Sequence, residues 1–152
     1  MNQNSDSLPR PSAHPAAFGW RLLALTYDFL PVVALLMITS AIFLWLNGGR
    51  TVERNPALGG LEFLAMWLLV GNYFVISWRR GGQTVGMRPW RLKVVSADGR
   101  LASLRTLWLR YAVAWMTPVF GLLWALVDAE HRALYDIASG TLLVRVQAAP
   151  AD

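Results

Sequence analysis

A chain of 152 residues has the length of one domain, yet 55% of it is hydrophobic, 15% is charged and its mean hydropathy is +0.38. That balance excludes most soluble folds, and it excludes a disordered chain, which needs a sequence poor in apolar residues. The absence of cysteine excludes a disulfide scaffold and thiolate chemistry, while a net charge of +5 raises polyanions as partners until the placement of the charge is read.

Residues 1–17 are polar and rich in proline and read as a disordered leader. The first apolar run, 22–46, is interrupted by one charge, Asp28. At about 1.5 Å per residue it reaches roughly 37 Å, enough for the ~30 Å hydrocarbon core with some tilt. It is too long for the apolar core of a cleaved signal peptide, and no small-residue cleavage site follows it. A second run, about 60–78, has Glu62 near its start, where the membrane interface is expected, and no charge from Phe63 to Trp78. Trp20, Trp45, Trp78, Trp108 and Trp124 lie near the ends of the apolar runs, as an aromatic belt places them.

The link from Arg79 to Thr106 holds seven basic residues against Asp98, a net charge of +6, so the rest of the chain is close to neutral. The positive-inside rule puts this link in the cytoplasm and the N-terminus with it, in agreement with Arg10 and Arg21 before the first span. Arg79, Arg80, Arg88, Arg91 and Lys93 are expected to contact anionic lipid headgroups, which explains the charge without nucleic acid. Within the link, residues 91–97 alternate, Asp98-Gly99 is a turn signal and 100–104 follows, a pattern that predicts a small cytoplasmic β-hairpin. The segment Gly81-Gly82-Gln83-Thr84-Val85-Gly86 lacks the Lys-Ser/Thr of a phosphate loop and reads as a turn leaving the membrane.

The third run, about 108–127, follows Arg110 with uncharged residues as far as Asp128 and contains Pro118 and Gly121. Either it spans once, or it dips in and returns through that Pro-Gly turn, which would let the β-rich stretch 141–146 join the hairpin. The charges after it sum to −2 and give no positive-inside signal, which favours a single crossing. The residues thus predict an all-α membrane protein with two transmembrane helices, a third spanning or re-entrant segment and a small hairpin. They place the domain at 18–146 with a tail at 147–152.

Arg21 and Asp28 are seven apart, two helical turns along one face, so a bridging group would complete a contact between them. A carboxylate inside an apolar span costs on the order of 2 to 3 kcal/mol on insertion scales and marks a functional candidate. Pro31 frees the carbonyl of Tyr27 beside it. Further on, Arg132 and Asp136 are an i, i+4 pair, His131 reads as solvated, and Gly140 is placed to end a short helix before a strand.

Phe18-Gly-Trp-Arg21-Leu-Leu-Ala-Leu-Thr-Tyr-Asp28, Gly82-Gln-Thr-Val-Gly86-Met-Arg and Arg132-Ala-Leu-Tyr-Asp136-Ile-Ala-Ser-Gly-Thr141 together resemble the RDD family of bacterial membrane proteins. That family is named for one arginine and two aspartates, which map onto Arg21, Asp28 and Asp136; Val85 and Arg88 stand where it usually has Pro and Lys. The resemblance implies that Asp136 meets Arg21 at the cytoplasmic mouth, and so it favours the re-entrant path. It also implies transport of an undefined ligand or work within a membrane complex. Two functions are therefore expected. One is binding or conduction of an ion or small polar solute by an oligomer through Arg21, Asp28 and Asp136. The other is an accessory or assembly factor for another membrane protein, with the same residues as a structural cluster. Neither catalysis nor a cofactor or metal is expected, and the location is the inner membrane.

Overall fold

The computed structural model of the protein describes residues 14–52 and 55–146. In chain order these form strand β1 (His14–Pro15), helices α1 (Phe18–Leu46) and α2 (Pro56–Gly81), strand β2 (Leu92–Ser96) and helix α3 (Leu104–Met116). A short helix α4 (Phe120–Leu123) then runs into a 3-10 turn at Trp124–Leu126, and helix α5 (Leu134–Ser139) and strand β3 (Thr141–Arg145) follow.

Both long helices are apolar and long enough to cross a bilayer, with mean hydropathies of 2.4 and 1.5 over their most apolar stretches. Only 6% of that stretch of α1 is buried, and Leu30 and Met37 stand 73% and 67% exposed. In water so much bare apolar surface is costly, whereas in hydrocarbon it is the ordinary environment of a spanning helix. Pro31 lies inside α1 without ending it, which membrane helices tolerate. Asn55 opens α2 by accepting from the N–H groups of Ala57 and Leu58 at 3.2 and 3.3 Å, with Pro56 in the first helical position. Gly82, at φ 70°, closes it in the left-handed conformation.

The third apolar run bends back on itself. The residue before a proline is biased out of the helical region, and Thr117 leaves it at φ −129° and ψ 53° ahead of Pro118. The axis turns by 108° between α3 and Phe120–Leu126. Gly121 permits the tight turn, since a Cβ there would collide with Thr117 Oγ1. The chain then returns: α5 packs on α3, and β3 inserts between β1 and β2, antiparallel to both, with Val94 opposite Leu143. The preference for a single crossing drawn from charge alone is thereby overturned, because the tail's placement is set by buried pairing rather than by its surface charge.

The antiparallel sheet forms, but with a different partner strand. After the Asp98-Gly99 turn, one bond from Ser96 N–H to the Arg100 carbonyl (2.8 Å) closes the bend. Ser103 then caps α3 by accepting from Thr106 N–H at 3.2 Å, so residues 100–103 lead into a helix instead of forming a strand. The pairing strand is β3, whose Leu143 and Val144 are buried. Residues 14–17, assigned to the leader by composition, are ordered: Ala16 N–H donates to the Leu143 carbonyl at 2.9 Å and Ala16 is buried. The rest of that leader, 1–13, and the tail at 147–152 lie outside the described residues.

The core gathers at the sheet end of α1 and α2, where Val75, Leu92, Val94 and Leu107 are fully buried. Three of the belt tryptophans belong to it, Trp20 among them, partly buried. Trp78 is buried, and Trp108 packs with Tyr111 against the Gly71 face of α2, where a Cβ would come within 2.6 Å of the Trp108 ring. Trp45, at the far end of α1, is exposed as a belt residue should be. Glu62, on α2, is buried and has no ion-pair partner among the described residues.

Candidate functional site

The sheet brings together charges that lie far apart in sequence. Asp136 sits at the third position of α5 and reaches back to accept from Ala133 N–H at 3.0 Å, which helps to close the first turn of this short helix. Its Oδ2 also meets Arg21 at 2.6 Å, and its Oδ1 accepts from Arg110 Nη1. Arg110 Nη1 donates further to Thr141 Oγ1 at 2.5 Å. All three charged groups are at most 4% exposed. A carboxylate between two guanidiniums in so dry a place gains strongly from each, and desolvation makes removal of any one member costly.

Arg21 spends its guanidinium three ways: on Asp136, on the Ala16 carbonyl at 3.2 Å and on the His131 carbonyl at 3.0 Å. The loop before α5 is shaped to offer that last carbonyl. Asp128 accepts from the backbone N–H of Arg132 (2.9 Å) and of Glu130 (3.1 Å), and His131 stands at φ 54°. The Arg132 N–H, followed by its guanidinium, holds the Asp128 carboxyl below its ordinary value. Arg132 pairs with Asp128 and Glu130, not with Asp136 four residues on. A left-handed non-glycine residue costs about 1 to 2 kcal/mol. His131→Gly should therefore keep or raise the melting temperature in mild detergent, and His131→Val should lower it by the equivalent of about 1 to 2 kcal/mol.

Asp28 is not Arg21's partner. It accepts from Tyr73 Oη on α2 at 2.7 Å, from Gly86 N–H at 2.9 Å and from Thr84 Oγ1. These neutral donors come from two places, the middle of α2 and the glycine-rich segment that follows it. That segment is thus more than a turn leaving the membrane. Gly82 takes the left-handed conformation and its carbonyl accepts from Val94 N–H at 2.7 Å, which fastens the segment to β2. Gly86 lies so close to α1 that a Cβ would collide with the Ala24 carbonyl and come within 2.7 Å of Asp28 Cγ and N.

Two separate groupings replace the single cluster expected from Arg21, Asp28 and Asp136: Arg21–Asp136–Arg110, and Asp28 with Tyr73, Thr84 and Gly86. Both border a half-open cavity of about 510 Å³ lined by α1, α2, α3, α4 and the sheet, with Arg21, Asp28 and Arg110 on its wall. Sequence reasoning missed Arg110, Tyr73 and Thr84. The signal for Arg110 was present in Leu107-Trp-Leu-Arg-Tyr-Ala-Val, a lone charge with apolar residues on both sides. Of the expected headgroup contacts, Arg79, Arg80, Arg88 and Arg91 are exposed and Lys93 is half-buried on β2.

Two helices long and apolar enough to cross a bilayer, a bent helix pair and a small sheet, locked at one end by buried arginines and aspartates, define a class of helical membrane protein. Within that class the chain belongs to the RDD family, which it matches over residues 15–140. No curated protein and no solved structure matches it.

Proposed function

We propose that the protein binds a small ion or solute within the bilayer, at the charged part of the cavity, and that copies of the chain assemble to move it. The observation that carries this reading is the cavity itself, about 510 Å³, with Arg21, Asp28 and Arg110 on its wall. This volume lies in the range of about 300–1,000 Å³ usual for small-molecule sites, and ionisable side chains inside a membrane mark solute or ion sites by default. Two crossing helices and one bent pair enclose no pathway, so movement across the membrane requires further copies or a larger partner. In this reading the sheet end faces the cytoplasm at the inner membrane. Arg79, Arg80, Arg88, Arg91 and Lys93 lie against anionic headgroups, and no catalysis, cofactor or nucleic acid is involved.

Ala114, on α3, lines the cavity, and Ala114→Trp fills it. Wild-type protein purified in mild detergent and then denatured should release a small molecule, seen by mass spectrometry, that the variant does not carry at an unchanged melting temperature. Equal contents from both proteins would refute a ligand in this cavity. Movement is read in vesicles, as flux of protons or of a labelled organic anion that needs the protein and is lost in Asp28→Asn.

A second reading, an accessory factor docked on another membrane protein, has its own support. Asp28 accepts three hydrogen bonds and Asp136 is shared by two arginines, so both carboxylates are fully engaged in structure. On this reading Asp28→Asn lowers abundance and leaves vesicle permeability unchanged.

A further inference from the structure

We propose that the cavity takes an anionic amphiphile, a single carboxylate or phosphate headgroup on an acyl chain, with the headgroup held by Arg110 and Trp78. This rests on reading the cavity as a ligand site, and it names the chemistry of the ligand. Arg110 and Trp78 are 3% and 8% exposed and both form part of the cavity wall. Arg110 Nε and Trp78 Nε1 are buried, and neither has a hydrogen-bond partner among the described residues. The two side chains are neighbours, with the guanidinium carbon 5.2 Å from the Trp78 ring centroid, which puts both donors in one part of the wall. Buried N–H donors require acceptors, and both groups are donors only.

Charge selects the sign. Arg21 and Arg110 face one carboxylate, Asp136, which leaves an excess of positive charge where the two donors lie. A cation is repelled there, while an oxyanion gains charge-assisted bonds. Asp28 shares the wall, but it is two turns along α1 from Arg21, about 10 Å of helix rise, and its oxygens are occupied by Tyr73, Thr84 and Gly86. Much of the remaining wall is apolar, with Val32, Phe74, Ala114 and Leu122 among its residues, and suits an alkyl chain. The site lies among membrane-crossing helices, where such amphiphiles are dissolved. The same headgroup chemistry belongs to a free fatty acid and to an anionic phospholipid.

The test uses the full chain in phosphatidylcholine nanodiscs at alkaline pH, with binding to protein-free discs subtracted. Labelled dodecanoate, dilauroyl phosphatidate and dodecanol are compared on wild type, Trp78→Phe and Ala114→Trp. Wild type is expected to prefer at least one of the two anions to dodecanol by about tenfold or more. Trp78→Phe should shrink that preference several-fold, and Ala114→Trp should remove binding of all three. A preference for dodecanoate alone identifies the free acid, and a preference for phosphatidate alone identifies the phospholipid. Dodecanol bound as tightly as both anions, or a preference unchanged in Trp78→Phe, overturns the headgroup assignment while leaving the cavity a ligand site. Failure of all three probes to bind wild type overturns the amphiphile, and the release measurement on Ala114→Trp then decides separately whether the cavity holds any other ligand.

Discussion

Replacing Asp136 with Asn should be among the most damaging single changes in the chain, costing on the order of 3–5 kcal/mol. The carboxylate is fully buried and is the shared counter-charge of Arg21 and Arg110. Asn keeps the shape and can still accept from Ala133 N–H, but it leaves two guanidiniums facing each other without an anion. Removal of one member from a buried ion group is costly because the remaining charge is stranded away from water. Arg110→Met should cost distinctly less, since Arg21 and Asp136 stay paired one to one at 2.6 Å. The melting temperatures of the two variants in mild detergent, together with their abundance in membranes, check this order. Equal melting of Asp136→Asn and wild type would mean that the three groups do not share a dry site.

Gly86→Ala is the second large effect, expected at about 3 kcal/mol from overpacking combined with loss of a hydrogen bond to a charged acceptor. The added methyl meets backbone, the Ala24 carbonyl and the Asp28 nitrogen, which cannot yield as a flexible side chain would. The glycine-rich segment then has to lift from α1, and the 2.9 Å bond from Gly86 N–H to Asp28 breaks with it. Gly81→Ala is the matched control. Its Cβ meets nothing within 4 Å at the end of α2, so it should be neutral or slightly stabilising by helix propensity. Thermal melting of the pair in detergent separates close packing at Gly86 from a general intolerance of alanine in this segment.

The long helices were legible because hydropathy and length act locally: the runs 22–46 and 60–78 lie inside α1 and α2. The turn of the third run was legible in Pro118 and Gly121, although surface charge pointed the other way, because the positive-inside rule weighs loops and is silent about buried pairing. Partner choice was the part that sequence could not carry. Asp28 and Arg21 share a helix face, yet the donors to Asp28 lie 45, 56 and 58 residues away, on segments whose approach depends on how α1 and α2 pack. Residues 100–104 and 141–145 are both capable of pairing with β2. The choice between them was made by Ser103, which starts a helix, and by the burial that β3 gains beside β1. Arg110 is visible in the sequence as a lone charge at the edge of an apolar run. Its role emerges only when α5 returns to α3.

The third apolar segment turns back, so that β3 pairs with β2 and Asp136 bridges Arg21 and Arg110. Val95 and Leu142 are direct partners across β2 and β3, and the chain has no cysteine of its own. Val95→Cys combined with Leu142→Cys should therefore form an intramolecular disulfide on mild oxidation in intact membranes, since facing strand residues have Cβ atoms about 4.5–5.5 Å apart, close to disulfide reach. Absence of that bond, with the two thiols labelled from opposite sides of the membrane, would show a third crossing and separate β3 from β2.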